Sequence, residues 1–517
     1  MRGRMLRGRG ADRRNLRTIF ALLLVLCPGY GLGRLKAQEV AASSTDCVDR
    51  ARSSPSARVM VLLEAAVTDS ALAELERYGV VHGWIDRYRL VAMTPGSPAD
   101  RGAVATLPFV RSVENDSVIC PASVASWNLD LIDVMNVEES GFVGEPDLRE
   151  VKQTGAGVHV AILDSGLTPG WRNVLPEERV AVDLARAFIG GGPPSGGTLA
   201  NEFNVQSPPG LWEQDSRGHG LGVSTMVIGF KYGGLLVDGS APGAKVIPLR
   251  VADESAVSFA SHIVAAFDYL ITLVESHAIG PVVANLSLII VDGSVAVNPS
   301  SPNPVVERAI DDAIAAGILV VAAAGNSGEF GMTWPGAYPQ VISAGAVGWT
   351  RQYRPVQNGL PNNDFWWTQD VGFDPNPRRG PTEASESYVA GFSSRATPER
   401  GQQLDVLAPG ALIAHTLDMR TFSGLVFGFG TSLASPLTAG VVALMLEVNP
   451  RLTQAQAETI LKSTALPLKS ADSRSGVFDF GAEQTISWDT DCAGVACDAV
   501  GAGLIQADAA IAATPKR

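Results

Sequence analysis

The chain has 517 residues, 46% apolar and 18% charged, long enough for a large core plus an accessory segment. Its 54 glycines and 32 prolines argue for many turns rather than a helical bundle. Residues 1–37 hold nine Lys/Arg against one acid, a local +8 that leaves −21 for the remainder of a chain whose total is −13; so acidic a body argues against nucleic acid as a partner, because phosphate binding needs clustered cations.

At the N-terminus Arg2, Arg4, Arg7, Arg9, Arg13, Arg14 and Arg17 precede a short apolar run from Ile19 to Leu26. A charged n-region before an apolar run too short to cross a bilayer predicts a signal peptide over 1–37, with Leu35-Lys36-Ala37 offering a small residue before cleavage. The signal peptide implies a secreted, extracellular or periplasmic location, and the pair Arg13-Arg14 loosely resembles a twin-arginine export signal, although a basic n-region alone would often contain such a pair. No later segment is long and uniformly apolar enough for a stable membrane span. Of five cysteines, Cys27 leaves with the signal, Cys492 and Cys497 could close a small disulfide loop, and Cys47 and Cys120 have no sequence-near partner.

Residues 58–119 predict a compact α+β unit: a strand over Arg58–Leu63, a helix from Asp69, a strand or hairpin from Val80 to Met93, and a last strand from Val110 to Ile119. Residues 120–150 carry few periodic signals and read as a connector. From Gly157 strands alternate with helices. Val158–Leu163, Lys245–Val251, Pro281–Ile290 and Ile318–Ala324 are apolar runs of buried strands. Between them, Ile263, Val264, Phe267, Leu270, Ile271 and Val274 mark an amphipathic helix, and Pro304–Ala316 a second that stops at Gly317. This order predicts an α/β architecture, a parallel sheet covered by helices on both faces, with ligands at the carboxyl ends of the strands. Loops rich in turn residues are expected near 190–210 and 351–388.

Four polar residues end apolar elements beside glycines. Asp164 closes the strand Val-Ala-Ile-Leu-Asp-Ser-Gly, where a turn or N-cap reading is equally open. His219 stands in Asp-Ser-Arg-Gly-His-Gly before an apolar helix; a structural role is expected for His82, His159, His262, His277 and His415. Asn326 follows the buried strand ending at Gly325, a place also common for a turn residue. Ser432, after Gly430-Thr431, heads the apolar helix through Leu446. Unpaired amides there suit a developing oxyanion, and a plain N-cap serine fits as well.

Taken together, the order Asp, His, Asn, Ser with these flanks resembles the subtilisin-like serine proteases, or subtilases, over roughly residues 125–512. Ala241-Pro242-Gly243-Ala244, Trp334-Pro335-Gly336-Ala337, Asp405-Val406-Leu407-Ala408-Pro409-Gly410 and Gly501-Ala502-Gly503-Leu504 also match. Residues 38–121, notably Leu107-Pro108-Phe109-Val110-Arg111-Ser112-Val113-Glu114, resemble the family's α+β propeptide, which implies an intramolecular inhibitor. A subtilisin-like catalytic domain would then occupy 122–517, acting on protein or peptide substrates. The resemblance implies Ser432 as nucleophile, His219 as base, Asp164 orienting it, and Asn326 as an oxyanion donor. It implies no catalytic metal or cofactor. A structural calcium is common in the family, although no loop shows a recognisable ligand spacing.

The chain departs from the family at three places. Leu221-Gly222 stands where Thr-His is usual, and Leu437-Thr438 where His-Val is common. Asn285-Leu286-Ser287-Leu288 resembles the strand that pairs with substrate backbone, but Ile289-Ile290 replaces the usual Gly-Gly. Ser287, Leu288 and Ile289 are therefore the expected substrate-binding residues, with Ile289 narrowing the first pocket so that small side chains are preferred. The competing reading is a catalytically inactive scaffold of the same fold used for binding. A Gly-x-Ser-x-Gly elbow is absent at Ser432, no His-Glu-x-x-His run occurs, and Gly190-Gly191-Gly192 has no Lys-Ser/Thr sequel, which sets aside esterase, metalloprotease and phosphate-binding readings.

Overall fold

The computed structural model describes residues 58–115, 123–124, 127–135, 149–189, 210–232, 235–252, 259–290, 300–349, 387–419, 422–468, 477–479, 484–486 and 497–516. The predicted signal peptide, Cys27, Cys47, Cys120, Cys492 and most of both predicted loop insertions lie outside these residues. Cys497 is disulfide-bonded.

The N-terminal unit is a four-stranded antiparallel sheet: β1 (Val59–Leu63), β2 (Gly79–Ile85), β3 (Leu90–Pro95) and β4 (Val110–Asn115), in the order β2–β3–β1–β4. Alternation along β1 turns Val59, Val61 and Leu63 inward, as a strand of period two requires. Helix α1 (Asp69–Leu75) starts where predicted, because Thr68 caps the amide of Ala71. A second helix, α2 (Pro98–Ala105), was not expected. Its signals are nonetheless present: Ser97 caps the Asp100 amide and Pro98 opens the first turn. Val59, Val61, Leu75, Met93 and Val104 form a core of their own.

The larger body is built on an eight-stranded sheet. In chain order its elements are β5 (His159–Asp164), β6 (Arg186–Ala187), α3 (His219–Ile228), β7 (Lys245–Arg250), α4 (Ala260–Glu275), β8 (Val282–Leu286), α5 (Pro304–Ala315), β9 (Leu319–Ala323), β10 (Ile342–Trp349), β11 (Ser387–Val389) and β12 (Val406–Pro409). The strand order is β11–β10–β9–β8–β5–β7–β6, with β12 also on β10, and every pairing but β10–β11 is parallel. Alternate side chains of one strand enter opposite cores: Val160 and Ile162 join one, Ala161 and Leu163 the other. Helices α4 and α5 cover the second face through Phe267, Leu270, Val306 and Ile310. The first face receives α3 and a long helix α6 (Thr431–Val448). Both faces being buried is why these strands read as continuous apolar runs. Helix α6 is long and apolar enough to cross a membrane by composition, but 83% of it is buried inside the protein as a core helix.

Three expectations are corrected. Residues 127–135 are no connector: Trp127–Asp130 is a short helix, and Trp127, Leu129, Leu131, Ile132, Val134 and Met135 are buried in the first core. Burial on all sides leaves no amphipathic period to read. The strand predicted over Pro281–Ile290 is β8, ending at Leu286, so Ser287, Leu288 and Ile289 follow it as non-strand backbone. The predicted loop 351–388 gives up its last two residues to β11. A hairpin of β13 (Ala411–Met419) and β14 (Phe422–Phe429), a helix α7 (Gln454–Thr464) and a helix α8 (Ala507–Ala513) also belong to the body.

Candidate active site

β5 and α6 bring their polar ends together at the carboxyl side of the sheet. Asp164 is 3% exposed at the end of β5, and its Oδ1 accepts from the Ser165 amide at 2.7 Å and the Ser165 hydroxyl at 3.1 Å. The same oxygen faces Nδ1 of His219 at 2.8 Å, so Nδ1–H donates and Nε2 keeps its lone pair. His219 is the first residue of α3. It is delivered by Gly218 at φ 78°, a left-handed turn that any side chain would strain.

A second carboxylate lies behind this pair. Asp215 Oδ2 accepts from the Ser165 hydroxyl and from the Gly218 amide, both at 2.8 Å, while Oδ1 holds the Arg217 amide at 2.9 Å. Ser165 thus bridges two carboxylates and accepts the Gly220 amide at 3.0 Å. Burial raises the pKa of Asp215 against these hydrogen bonds. For His219, burial lowers the pKa, but Asp164 and, more weakly, Asp215 outweigh it, and the ring ends above its ordinary value. The ring is still 40% exposed on its solvent side. In the sequence Asp215 and Ser165 stand only as flanks of His219 and Asp164, and their positions within each motif are the available signal.

Ser432 is the second residue of α6, whose N-cap is Gly430 with no side-chain cap bond. The N-cap reading of Ser432 therefore does not hold. Pro436 lies four residues on and has no N–H to give the Ser432 carbonyl. The Ser287 hydroxyl supplies that bond instead, at 2.9 Å. Asn285 Nδ2 donates to the Ser287 hydroxyl at 3.0 Å, and Ser435 Oγ to Asn285 Oδ1 at 2.6 Å, sewing the end of β8 to α6. Ser432 Oγ lies 3.5 Å from the Ser287 carbonyl, and among the described residues it makes no hydrogen bond to His219.

Asn326 follows β9 and Gly325. Its Oδ1 accepts from the Thr431 amide and hydroxyl, both at 2.9 Å. A backbone N–H can only donate, so this bond fixes which amide atom is oxygen and leaves Nδ2 beside Gly430, with no hydrogen bond among the described residues. The structure thus gathers Asp164 and His219 in one hydrogen-bonded pair, and Ser432, Asn326 and Ser287 around the start of α6. Leu288 and Ile290 pack on the core while Ile289 between them does not, and it is half-buried. Among the described residues no group of three or more His, Cys, Asp or Glu is arranged to hold a metal ion.

The sequence model of the Subtilase family matches residues 155–486. The chain is similar to an alkaline protease of Alkalihalobacillus alcalophilus, 26% identical over 377 residues, which covers 73% of this chain and 74% of that protein. It is also similar to subtilisin Savinase of Lederbergia lenta, 28% identical over 319 residues, covering 62% of this chain and 87% of that one. Among solved structures, sphericase aligns with a TM-score of 0.48 at 20% identity, over 75% of this chain and 99% of that chain.

Proposed function

The chain belongs to the subtilase family and is a subtilisin-like serine endopeptidase, and we propose that it cleaves peptide bonds with Ser432 as nucleophile and His219 as its general base. In this reading the Ser432 hydroxyl leaves the Ser287 carbonyl and meets Nε2 of His219 when substrate is bound. As Oγ attacks the carbonyl carbon, Nε2 takes its proton, and Asp164 stabilises the imidazolium through Nδ1–H. The tetrahedral oxyanion is held by Nδ2 of Asn326 and the Ser432 amide at the positive end of α6. Collapse expels the amine, which receives the proton from His219. Water then repeats the sequence on the acyl-enzyme. The observation that carries this reading is the 2.8 Å bond between His219 Nδ1 and Asp164, which dictates the tautomer a general base needs.

Ile289 stands free of the core beside this centre, which supports a narrow first pocket and cleavage after small residues. Efficient turnover of substrates with Phe or Tyr before the scissile bond would remove that assignment. Residues 1–37 act as the export signal, and 38–121 as a propeptide inhibitor removed between Cys120 and Trp127. A fluorophosphonate probe should label the wild-type chain and not Ser432→Ala. N-terminal sequencing of the labelled product should start within 121–127. Labelling retained in Ser432→Ala would discard the nucleophile.

A further inference from the structure

His415 was expected to be structural, and the hairpin that carries it places it against the helix of His219. Its ring sits in a slot made by two glycines. A Cβ on Gly222, three residues after His219 on the same face of α3, would lie 2.8 Å from His415 Cε1 and 3.2 Å from Nδ1. A Cβ on Gly428 of β14 would lie 3.0 Å from Nε2 and 3.3 Å from Cδ2. The departure to Gly222 noted in the sequence is therefore what admits the ring. His415 is 7% exposed, and its Nδ1 is buried with no hydrogen-bond partner among the described residues.

We infer that His415 is a positioning residue of the hydrolytic centre: its neutral ring, wedged between Gly222 and Gly428, fixes the first turn of α3 and with it the imidazole of His219. This rests on His219 being the general base. The helix cannot tilt towards the hairpin without driving Gly222 into the ring, and the space vacated by a tilt away has no side chain on Gly222 to fill it. Neutrality matters because a second cation beside His219 would oppose the imidazolium formed in the reaction. Burial holds the His415 ring down to about 4, against a backbone hydrogen bond at Thr416 that favours the charged form, and the nearby His219 acts in the same direction as burial. The charged groups acting on His219 are Asp164 from β5, Asp215 from the turn before α3, and His415 if it were protonated.

The test is a double-mutant cycle on the mature enzyme, with active sites counted by fluorophosphonate titration so that misfolded protein does not lower the apparent kcat. Gly222→Ala should lower kcat at least about tenfold, with KM within about twofold, because displacing a general base by a fraction of an ångström is costly. Gly222→Ala/His415→Ala should recover most of that loss, since the methyl group enters the vacated slot. His415→Ala alone should move the acid limb of kcat/KM upward by about half a pH unit, because water entering the slot relieves the burial that depresses His219. If His415→Ala does not fold, His415→Asn takes its place in the same cycle. A double variant no better than the product of the single effects, with an unmoved acid limb, overturns the inference while leaving the triad intact. A wild-type chain that neither labels nor hydrolyses overturns both.

Discussion

At Asn326 one backbone bond decides what the side chain can do. The Thr431 amide takes Oδ1, so Nδ2 is held beside Gly430, two residues before Ser432, and in the proposed mechanism donates without reorientation. Asn326→Ala should therefore lower kcat and leave KM nearly unchanged. The loss known for such a donor in a subtilisin, roughly 10²–10³-fold, is the scale expected rather than a value obtained from this geometry. Steady-state kinetics with a peptide substrate checks it, and unchanged kcat would remove Asn326 from the oxyanion site. His219 carries a second residue-scale expectation. Its pKa stands above the ordinary histidine value, so activity should fall as pH drops through a limb displaced upward. Asp215 contributes to that displacement through its charge, so Asp215→Asn should move the acid limb to lower pH.

Between elements, the helix that carries Ser432 is tied at both ends. At its start, Pro436 leaves the Ser432 carbonyl without a helical donor, and Ser287 fills the vacancy. Ser287→Ala should therefore cost about 1–3 kcal/mol of stability through an orphaned carbonyl, beyond any loss of substrate contact, as read by chemical denaturation of a Ser432→Ala background. At its far end, Glu447 Oε2 accepts three successive backbone amides, those of Thr154, Gly155 and Ala156, at 2.8, 2.6 and 3.1 Å. These residues lead into β5, so one carboxylate holds the strand of Asp164 against the helix of Ser432. Glu447→Ala should destabilise the fold by about 2–3 kcal/mol, since bonds to an ionised acceptor are strong and three donors are freed. A midpoint unchanged in denaturant would contradict that accounting.

For the molecule as a whole, the start of the larger body meets its end. The Ala507 amide donates to Ile132 O at 2.8 Å, and Gln506 Nε2 to Leu131 O at 3.1 Å. Asp133 sits in this seam beside Asp508 and Glu150. Burial, aided by those two negative charges, raises its pKa from 3.8 to about 7. The native state then holds a proton that the unfolded chain has released, so this group makes stability fall as pH rises from about 4 to about 7. Asp133→Asn should abolish that part of the slope and raise the thermal midpoint at pH 8 more than at pH 5. Equal shifts at both pH values would show that the seam is not proton-linked.

Much of this protein was legible from its residues in order. Short apolar runs bounded by turn residues marked strands buried on both faces, and the glycines beside Asp164, His219, Asn326 and Ser432 marked the turns where strands end or apolar helices begin. The same sequence could not choose between a capping and a reacting serine at Ser432, because both readings use the same residue at a helix start. The structure removes the capping reading by making Gly430 the cap, and the reacting serine stands as the proposal. Nor could the sequence show that Ser287 replaces the bond lost to Pro436, that Asp215 and Asp164 share Ser165, or that His415 fills the space opened by Gly222. Those relations join residues 50 to nearly 200 positions apart. Local periodicity reports which side of an element is buried, whereas only the packed fold determines what that side meets.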